Sequence, residues 1–283
     1  MPNQKFYKIR SLQKNPFSLI LSGGSSLGLA HIGIIRFLEE ENIRPSEIIG
    51  TSMGSVIGAL YAIGETSHTI KQKIQGLKTQ DLFEIKYLQG RIEYKRAKIF
   101  LKKIFQNKKM HETKIPLKII ATKIKNGEKK VFSKNDNIKI YDAILASIAI
   151  PGVLTAKRVK KEFYIDGCVS SNLATEEAEK TNIKIAVNVI NKKIKNYHYH
   201  NPKKGFLSNL ITKFTVLKNV SRYYIENQTE TKVKTTSKLI LIEPNLKKFN
   251  SYKLINYKKI ANAGYLEIKK YSKTRKCTKQ KYH

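Results

Sequence analysis

The 283-residue chain has no tryptophan, seven prolines and only two cysteines. Two cysteines, at positions 168 and 277, are too few for a disulfide framework, which favours a reducing compartment. No run of ~18 apolar residues is present to span a bilayer, and the apolar run at 17–21 is too short for a signal-peptide core. The sequence therefore predicts a cytoplasmic protein, and it leaves peripheral contact with the inner face of the membrane open.

Acidic residues are also scarce, with 21 Asp and Glu against 55 Lys and Arg, which gives a formal charge of +34. A hydrophobic fraction of 41% nevertheless excludes a globally disordered chain. A surface this basic attracts anionic lipid and nucleic-acid phosphate by the same physics. The abundance of Lys, Ile, Asn and Tyr is typical of AT-rich coding, so part of the charge is compositional. We expect anionic membrane, rather than nucleic acid, as the polyanion that the chain contacts.

The first part of the chain contains two units in which a short apolar strand leads through a Gly/Ser turn into a helix. The predicted strands are 17–21 and 48–49, and the predicted helices are 29–41 and 55–63. Strand–turn–helix units in succession predict an α/β fold with a mostly parallel sheet.

We expect a single domain over residues 1–283, because neither an internal repeat nor a linker divides the chain. The motifs that carry chemistry fall within about 17–190. A further strand and helices are predicted to continue to about 271, and a basic tail follows at 272–283.

Two predictions concern the middle of the chain. The segments 117–124 and 129–132 are expected to be strands that pair as a hairpin, because Asn126-Gly127 between them is typical of a tight turn. The segment 173–181 is expected to be a helix.

The segment Gly50-Thr51-Ser52-Met53-Gly54 is a G-x-S-x-G motif, preceded by a predicted strand and followed by a small-residue helix. A nucleophile elbow requires this context. The turn forces the serine into strained torsions, and Gly50 and Gly54 remove side chains that would collide there. The serine hydroxyl then stands at a helix N-terminus, which favours nearby negative charge. The alternative is a Gly/Ser-rich turn without catalytic meaning.

A second glycine-rich turn, Gly23–Gly28, also follows a strand and opens a helix. Such a loop exposes successive backbone N–H groups to an anion, and its members Gly23, Gly24, Ser25 and Gly28 are candidate oxyanion-hole residues. A dinucleotide site is the competing interpretation. It is disfavoured because Ser25 stands where the second motif glycine is needed, and because the next strand leads into Gly50 rather than an acidic ribose ligand.

Together these motifs make the chain resemble the patatin-like phospholipases of the small bacterial type. In that family a G-G-G-x-[RK]-G loop precedes G-T-S-x-G, and a D-G-[GA] motif follows. Here Gly23–Gly28 matches the loop, Gly50–Gly54 the elbow, and Asp166-Gly167-Cys168 the aspartate motif. The segment Ser147–Gly152 resembles the family's S-x-A-x-P-x, and Asn172 its trailing asparagine. The resemblance extends over about 17–190 with the motifs in matching order.

The resemblance implies a three-layer α/β/α fold and a Ser–Asp dyad. Ser52 would be the nucleophile that forms an acyl-enzyme, and Asp166 the base that takes its proton. It implies a serine lipid acyl hydrolase of phospholipase A or esterase type, acting on phospholipid or other acyl-ester substrates, with no cofactor and no metal. Asp166 follows an apolar strand, so we expect it at the edge of the sheet where α/β sites collect. The alternative function is a catalytically weak basic protein that binds anionic membrane or nucleic acid.

The other candidates for the nucleophile or the base have weaker support in the sequence. His198 and His200 follow Asp166 and could complete a Ser–His–Asp triad or a metal pair, but no catalytic motif surrounds them. His31, beside the glycine-rich loop, is interpreted as a capping or packing residue. Cys168, next to Gly167, stands where the family has Gly or Ala and is interpreted as a tolerated small residue.

Two positions depart from the family pattern. Ser25 replaces the third glycine of the loop, and a positive φ there would cost on the order of 1 kcal/mol and could misaim an amide. Leu27 replaces the usual Arg or Lys, which removes a cation beside the reacting ester. Both departures bear on the rate or substrate of the enzyme, and neither removes the dyad.

Two lysine-rich segments, 192–204 and 272–283, lack the periodicity of buried elements and include Tyr and His. They are predicted to carry salt-dependent binding to anionic vesicles. The alternative is that lysine is scattered over every surface, including the 98–109 region.

Overall fold

A mixed eight-stranded sheet forms the centre of the protein. The computed structural model describes residues 9–75, 84–86, 91–93, 95–151, 154–180, 182–190, 223–249 and 256–273. The strands of the sheet are β1 (Phe17–Leu21), β2 (Glu47–Thr51), β5 (Leu117–Lys123), β6 (Lys129–Phe132), β7 (Lys157–Val159), β8 (Glu162–Asp166), β9 (Ile183–Val187) and β10 (Leu239–Ile242). Their order in the sheet is β10-β9-β1-β2-β5-β8-β7, and β6 pairs with β5. Two short strands, β3 (Glu84–Lys86) and β4 (Arg91–Glu93), form a separate antiparallel pair.

Helices cover both faces of this sheet. They are α1 (Ala30–Glu40), α2 (Met53–Ala62), α3 (Ser67–Gln75), α4 (Lys95–Phe105), α5 (Ile140–Ser147), the short α6 (Cys168–Ser171), α7, whose described part is 223–235, and α8 (Tyr257–Lys273). A 3-10 helix (Ser25–Leu29) leads directly into α1.

Five neighbouring strands, from β10 through β9, β1 and β2 to β5, are parallel. Every residue of β1, β2 and β9 is buried, which explains why these strands read as apolar runs rather than as alternating patterns. The predicted α/β class with a mostly parallel sheet is confirmed. The predicted hairpin is confirmed as well, because β5 and β6 pair in antiparallel register and Gly127 in their turn has φ 73°.

Two apolar cores lie on opposite faces of the sheet. The larger one packs α1, α2, α5 and α8 against the strands, and Gly33 of α1 lets the backbone of α8 approach closely, since a Cβ there would lie 1.9 Å from the Ala261 carbonyl oxygen. The smaller core packs Leu173 and Ala174 against Ile20, Ile49 and other inward residues of the strands.

The pairing of β5 with its neighbours determines where β2 and β8 end. The segment Ile119–Thr122 pairs with β6, so β6 occupies one side of β5. Both β2 and β8 must therefore use the other side, where Thr51 lies opposite Ile120 and Asp166 lies opposite Ala121. Since β2 is parallel to β5 and β8 is antiparallel to it, the C-terminal ends of β2 and β8 meet head to head.

The helix predicted over 173–181 is wrong. The chain forms only a short 3-10 turn at Thr175–Glu177, because the side chains there form hydrogen bonds to residues that are distant in the sequence. Thr175 bonds to Thr236, and Glu176 accepts hydrogen bonds from Lys129 and Lys232. The structure also contains β7, which the sequence analysis did not predict.

Candidate active site

Ser52 occupies the sharp turn between β2 and α2. Its backbone has φ 51° and ψ −122°, a strained conformation of the kind that the motif predicts for an elbow serine. A side chain at Gly54 would place its Cβ 2.2 Å from the Leu21 carbonyl oxygen, and one at Gly50 would lie 2.6 Å from the Gly54 carbonyl oxygen. Only glycine fits at both positions, so the turn can close tightly against β1.

The side chains of Ser52 and Asp166 are in direct contact. The Ser52 hydroxyl donates a hydrogen bond to Asp166 Oδ2 at 2.7 Å, and the amide of Cys168 donates to Asp166 Oδ1 at 2.8 Å. Both side chains are buried. Burial in this low-dielectric environment raises the pKa of Asp166 above its ordinary value, although these two hydrogen bonds act in the opposite direction. The carboxylate is thus a stronger base than an exposed aspartate.

Asp166 lies at the C-terminal end of β8, beside the C-terminal end of β2. The strand β8 is antiparallel to β5, so it reaches this edge of the sheet from beyond it. The head-to-head meeting of β2 and β8 brings the two side chains together across a separation of 114 residues.

Ser147, at the end of α5, fixes both halves of the pair. Its fully buried hydroxyl accepts a hydrogen bond from the Ser52 amide at 2.8 Å, and its carbonyl accepts one from the Gly167 amide at 3.2 Å. The nearby Ala149 carbonyl accepts the Asp166 amide at 2.9 Å. The sequence analysis noted this segment only as part of a family motif and assigned Ser147 no role. No local pattern around Ser147 indicated that it would reach the elbow.

Replacing Ser147 by alanine is expected to lower kcat on a soluble short-chain ester by roughly 10- to 100-fold with little change in KM. The substitution leaves the buried Ser52 amide without an acceptor, which costs ~1–3 kcal/mol and frees the elbow to shift. Steady-state kinetics measure the effect. Ser46→Ala is the control, because that hydroxyl also bonds to the backbone, as a donor to the Phe17 carbonyl, one residue before β2 and away from the pair. Equal kcat losses in the two variants would show a general loss of stability instead.

The glycine-rich loop lies against this pair. Gly23 sits so close that a Cβ there would lie 2.9 Å from Ser52 Cβ and 2.2 Å from Cys168 Sγ. Gly24 has φ 153° and Ser25 has φ 52°, so Ser25 does adopt the positive φ whose cost the sequence analysis considers. A serine in this conformation carries a modest cost that a glycine would avoid. The strain therefore lies at both serines, Ser25 and Ser52.

The loop amides differ in their partners. The Gly23 amide donates to Asn172 Oδ1 at 3.0 Å, so it is already engaged. Across the described part of the chain, the amides of Gly24, Ser25 and Met53 have no acceptor. Gly28 lies inside the 3-10 helix and makes room for Met53, whose Cγ would lie 2.5 Å from a Cβ at that position.

The side chains of Asn172 and Cys168 pack against Gly23. Besides the Gly23 amide, Asn172 Oδ1 accepts a hydrogen bond from the Cys168 thiol at 3.2 Å. Burial and the neighbouring Asp166 raise the pKa of this thiol well above its ordinary value, which makes it a poor nucleophile at neutral pH. The arrangement agrees with the interpretation of Cys168 as a small packing residue.

His31 is fully buried in α1. Burial lowers its pKa to about 4, so the ring is neutral at neutral pH. Its Nε2 lies 2.9 Å from the Ser22 carbonyl, which it bonds as a donor and so fixes the start of the glycine-rich loop. This contact agrees with the packing role expected from the sequence, and it leaves His31 with no contact to Ser52 or Asp166.

Several residues that the sequence analysis singled out lie outside the described ranges or away from Ser52 and Asp166. His198 and His200 lie outside the described residues, as do 192–204 and all but the first two residues of 272–283. Leu27 is half-buried and packs against the larger core. The described segments contain no cluster of three His, Cys, Asp or Glu side chains arranged to hold a metal ion. Within the same segments, no helix is both long and apolar enough to cross a bilayer.

The fold is similar to that of VipD from Legionella pneumophila, with a TM-score of 0.58 at 12% sequence identity. The superposition covers 91% of this chain and 67% of that chain. At this identity the likeness concerns the fold alone.

Curated relatives match the part of the chain that contains the motifs. The uncharacterized NTE family protein Rv1063c of Mycobacterium tuberculosis is 29% identical over 170 residues, which cover 59% of this chain and 46% of that protein. The human patatin-like phospholipase domain-containing protein 6 is 25% identical over 188 residues, which cover 63% of this chain and 13% of that protein. The match thus spans less than half the length of these relatives.

The family model of the patatin-like phospholipases matches residues 19–179. This range is more than half of the chain, and it includes the glycine-rich loop, the elbow and the aspartate motif. The protein belongs to the patatin-like phospholipase family.

Proposed function

We propose that the protein is a serine lipid acyl hydrolase, of phospholipase A or esterase type, with Ser52 as nucleophile and Asp166 as base. The observation that carries the proposal is the 2.7 Å hydrogen bond from the Ser52 hydroxyl to the buried Asp166 carboxylate, at a strained turn that begins α2. A nucleophile in hydrogen-bond contact with its base is the arrangement that covalent acyl transfer requires. Family membership supports an ester of a lipid as the substrate.

Acylation follows from this contact. Asp166 Oδ2 takes the hydroxyl proton while Ser52 Oγ attacks the acyl carbonyl carbon, and the carbonyl π-electrons move to its oxygen. When the tetrahedral intermediate collapses, the bond to the alcohol oxygen breaks and Asp166 returns the proton to the leaving alcohol. The amide of Cys168 holds Oδ1 throughout, so Oδ2 stays aimed at the serine.

The oxyanion needs donors that are already in place. Of the predicted loop residues, we assign the amides of Gly24 and Ser25 to this role and add that of Met53, the first residue of α2. These three have no other acceptor among the described residues. Gly23 contributes space beside Ser52, because its amide is held by Asn172. Gly28 contributes space for Met53.

Deacylation repeats the same steps with water. Asp166 removes a proton from the water that attacks the acyl-Ser52 carbonyl, and then it protonates Ser52 Oγ as the acid product leaves. The raised pKa of Asp166 suits both directions of this transfer, since the group must accept and release a proton in each cycle. No step requires a metal or a cofactor, and we propose that the single-domain chain acts on phospholipid or a related fatty-acyl ester.

A fluorophosphonate probe tests the proposal. Such a probe phosphorylates a serine that an adjacent base activates, so we expect one adduct on Ser52, mapped by mass spectrometry of the whole protein after proteolysis. Denatured protein is the control and should not react. An adduct at another residue, or no adduct, would contradict the assignment and favour the alternative of a basic binding protein without catalytic power.

A further inference from the structure

Two hairpins extend beyond the edge of the sheet at which the C-terminal ends of β2 and β8 meet. Because β8 enters from beyond that edge, Phe163 lies three residues outward from Asp166, or about 10 Å at ~3.3 Å per residue. The neighbouring strand β5 extends the same way, and the Ile124 amide donates to the Phe163 carbonyl at 3.0 Å. The turns of the β5–β6 and β7–β8 hairpins therefore stand beyond the pair Ser52 and Asp166.

The two residues that meet there are apolar and exposed. Ile124 is 50% exposed and Phe163 is 49% exposed, and they are neighbours across the ladder. The opposite face of these strands is packed, since Phe132 and Tyr164 meet there edge to face with ring centroids 5.2 Å apart. Neighbouring exposed apolar side chains with a polar rim are typical of surfaces that bind proteins or membranes.

Cations surround this apolar pair. Arg158 lies 5.9 Å above the Phe163 ring, and Lys125, Lys160 and Lys161 are exposed at the two turns. In the described part of the chain these three lysines have no carboxylate partner. Over 123–128 and 158–163 together there are five cations and two carboxylates, one of which, Glu128, is paired with Lys123 at 3.2 Å. The local charge is 5 − 2 = +3.

We propose that these hairpin turns dock the enzyme on an anionic phospholipid surface, with Ile124 and Phe163 inserted between lipid headgroups and the lysines paired with phosphates. We call Ile124, Phe163, Arg158, Lys125, Lys160 and Lys161 the hairpin patch. Apolar side chains ringed by cations match the layering of such a surface, where an apolar interior lies beneath anionic headgroups. The choice of lipid rests on the proposed function, because a lipid ester must reach Ser52 from the same edge.

The absence of tryptophan from the chain makes insertion directly observable. Phe163→Trp, in a Ser52→Ala background that leaves the vesicles intact, places the only indole of the protein in the patch. We expect its emission to shift to the blue with vesicles of phosphatidylglycerol and phosphatidylcholine, and to be quenched when the acyl chains are brominated. Leu266→Trp is the matched control, since Leu266 is 54% exposed on α8, in the helical layer of the larger core.

The two reporters separate insertion from general adsorption. A blue shift and quenching at position 163 that are absent at position 266 support the proposal. No shift at position 163, or equal shifts at both positions, would overturn it. The readout does not require turnover, so a failed fluorophosphonate reaction with a positive shift would count against the proposed function alone, and the reverse result against the docking surface alone.

The charged part of the patch is tested by substitution. Lys125→Gln, Lys160→Gln and Lys161→Gln together should weaken binding to phosphatidylglycerol vesicles at low salt by on the order of 100-fold, with unchanged hydrolysis of a soluble ester. The control is Lys258→Gln, Lys259→Gln and Lys270→Gln, which remove the same charge from exposed positions of α8. Equal weakening by both sets would show that only diffuse charge matters and would overturn the patch.

Discussion

Ser52→Ala is expected to abolish ester hydrolysis, with a loss in kcat of about 10⁴-fold or more, while the protein stays folded. The variant removes the only atom that can form the acyl-enzyme in the proposed mechanism, and nucleophile and base act as one unit. The methyl side chain fits the space of the hydroxymethyl group, and the strained backbone at φ 51° is no worse for alanine than for serine. Hydrolysis of a soluble short-chain ester measures the effect.

The same variant separates the two functions considered for this chain. Binding to anionic vesicles should survive in Ser52→Ala, because the hydroxyl lies in a buried pair and carries no charge. Circular dichroism and the unfolding midpoint provide the check on folding. Retention of more than a small fraction of wild-type turnover would mean that another nucleophile is used, and the Ser–Asp assignment would be withdrawn.

Asp166→Asn is expected to lower kcat by roughly 10³-fold or more and to raise stability at neutral pH. The amide cannot accept the Ser52 proton, which removes general-base catalysis. In the wild type, kcat/KM should fall as pH is lowered through the raised pKa of Asp166, because the protonated carboxyl is no longer a base. The pH–rate profile of a soluble ester measures this decline.

The effect on stability has a definite sign. Burial raises the folded-state pKa of Asp166 above its unfolded value, so between the two values the folded protein binds more protons than the unfolded chain. The free energy of unfolding therefore falls as pH rises through this window, and it stays lowered above the folded-state pKa. Asp166→Asn removes this part of the pH dependence. Urea unfolding of both proteins over a range of pH tests it, and an Asn variant less stable than wild type at neutral pH contradicts it.

His198→Ala combined with His200→Ala is the matched control for the base. Neither histidine belongs to the proposed pair, so the double variant should keep wild-type kcat and the wild-type pH profile. A collapse of activity in this variant would instead favour the Ser–His–Asp triad that the chain order permits.

The sequence by itself determined the fold class, and it singled out Ser52 and Asp166, the two residues of the proposed dyad. A short apolar run such as 17–21, followed by a glycine turn and a helix, is typical of a central strand buried on both faces. Gly50 of the elbow is a local requirement, because Gly54 and Ser55 in the same turn would collide with any side chain there. Short-range constraints of this kind are visible in the order of residues.

The tertiary structure alone decided how the site is assembled. Ser52 and Asp166 meet because β2 and β8 share one side of β5 and end head to head, and no local pattern records which side of a strand its partners use. For the same reason the sequence missed the hydrogen bond of Ser147 to the elbow and the engagement of the Gly23 amide by Asn172. Such contacts join residues 95 and 149 positions apart, and their geometry depends on strand register, which is fixed only when the whole sheet has formed.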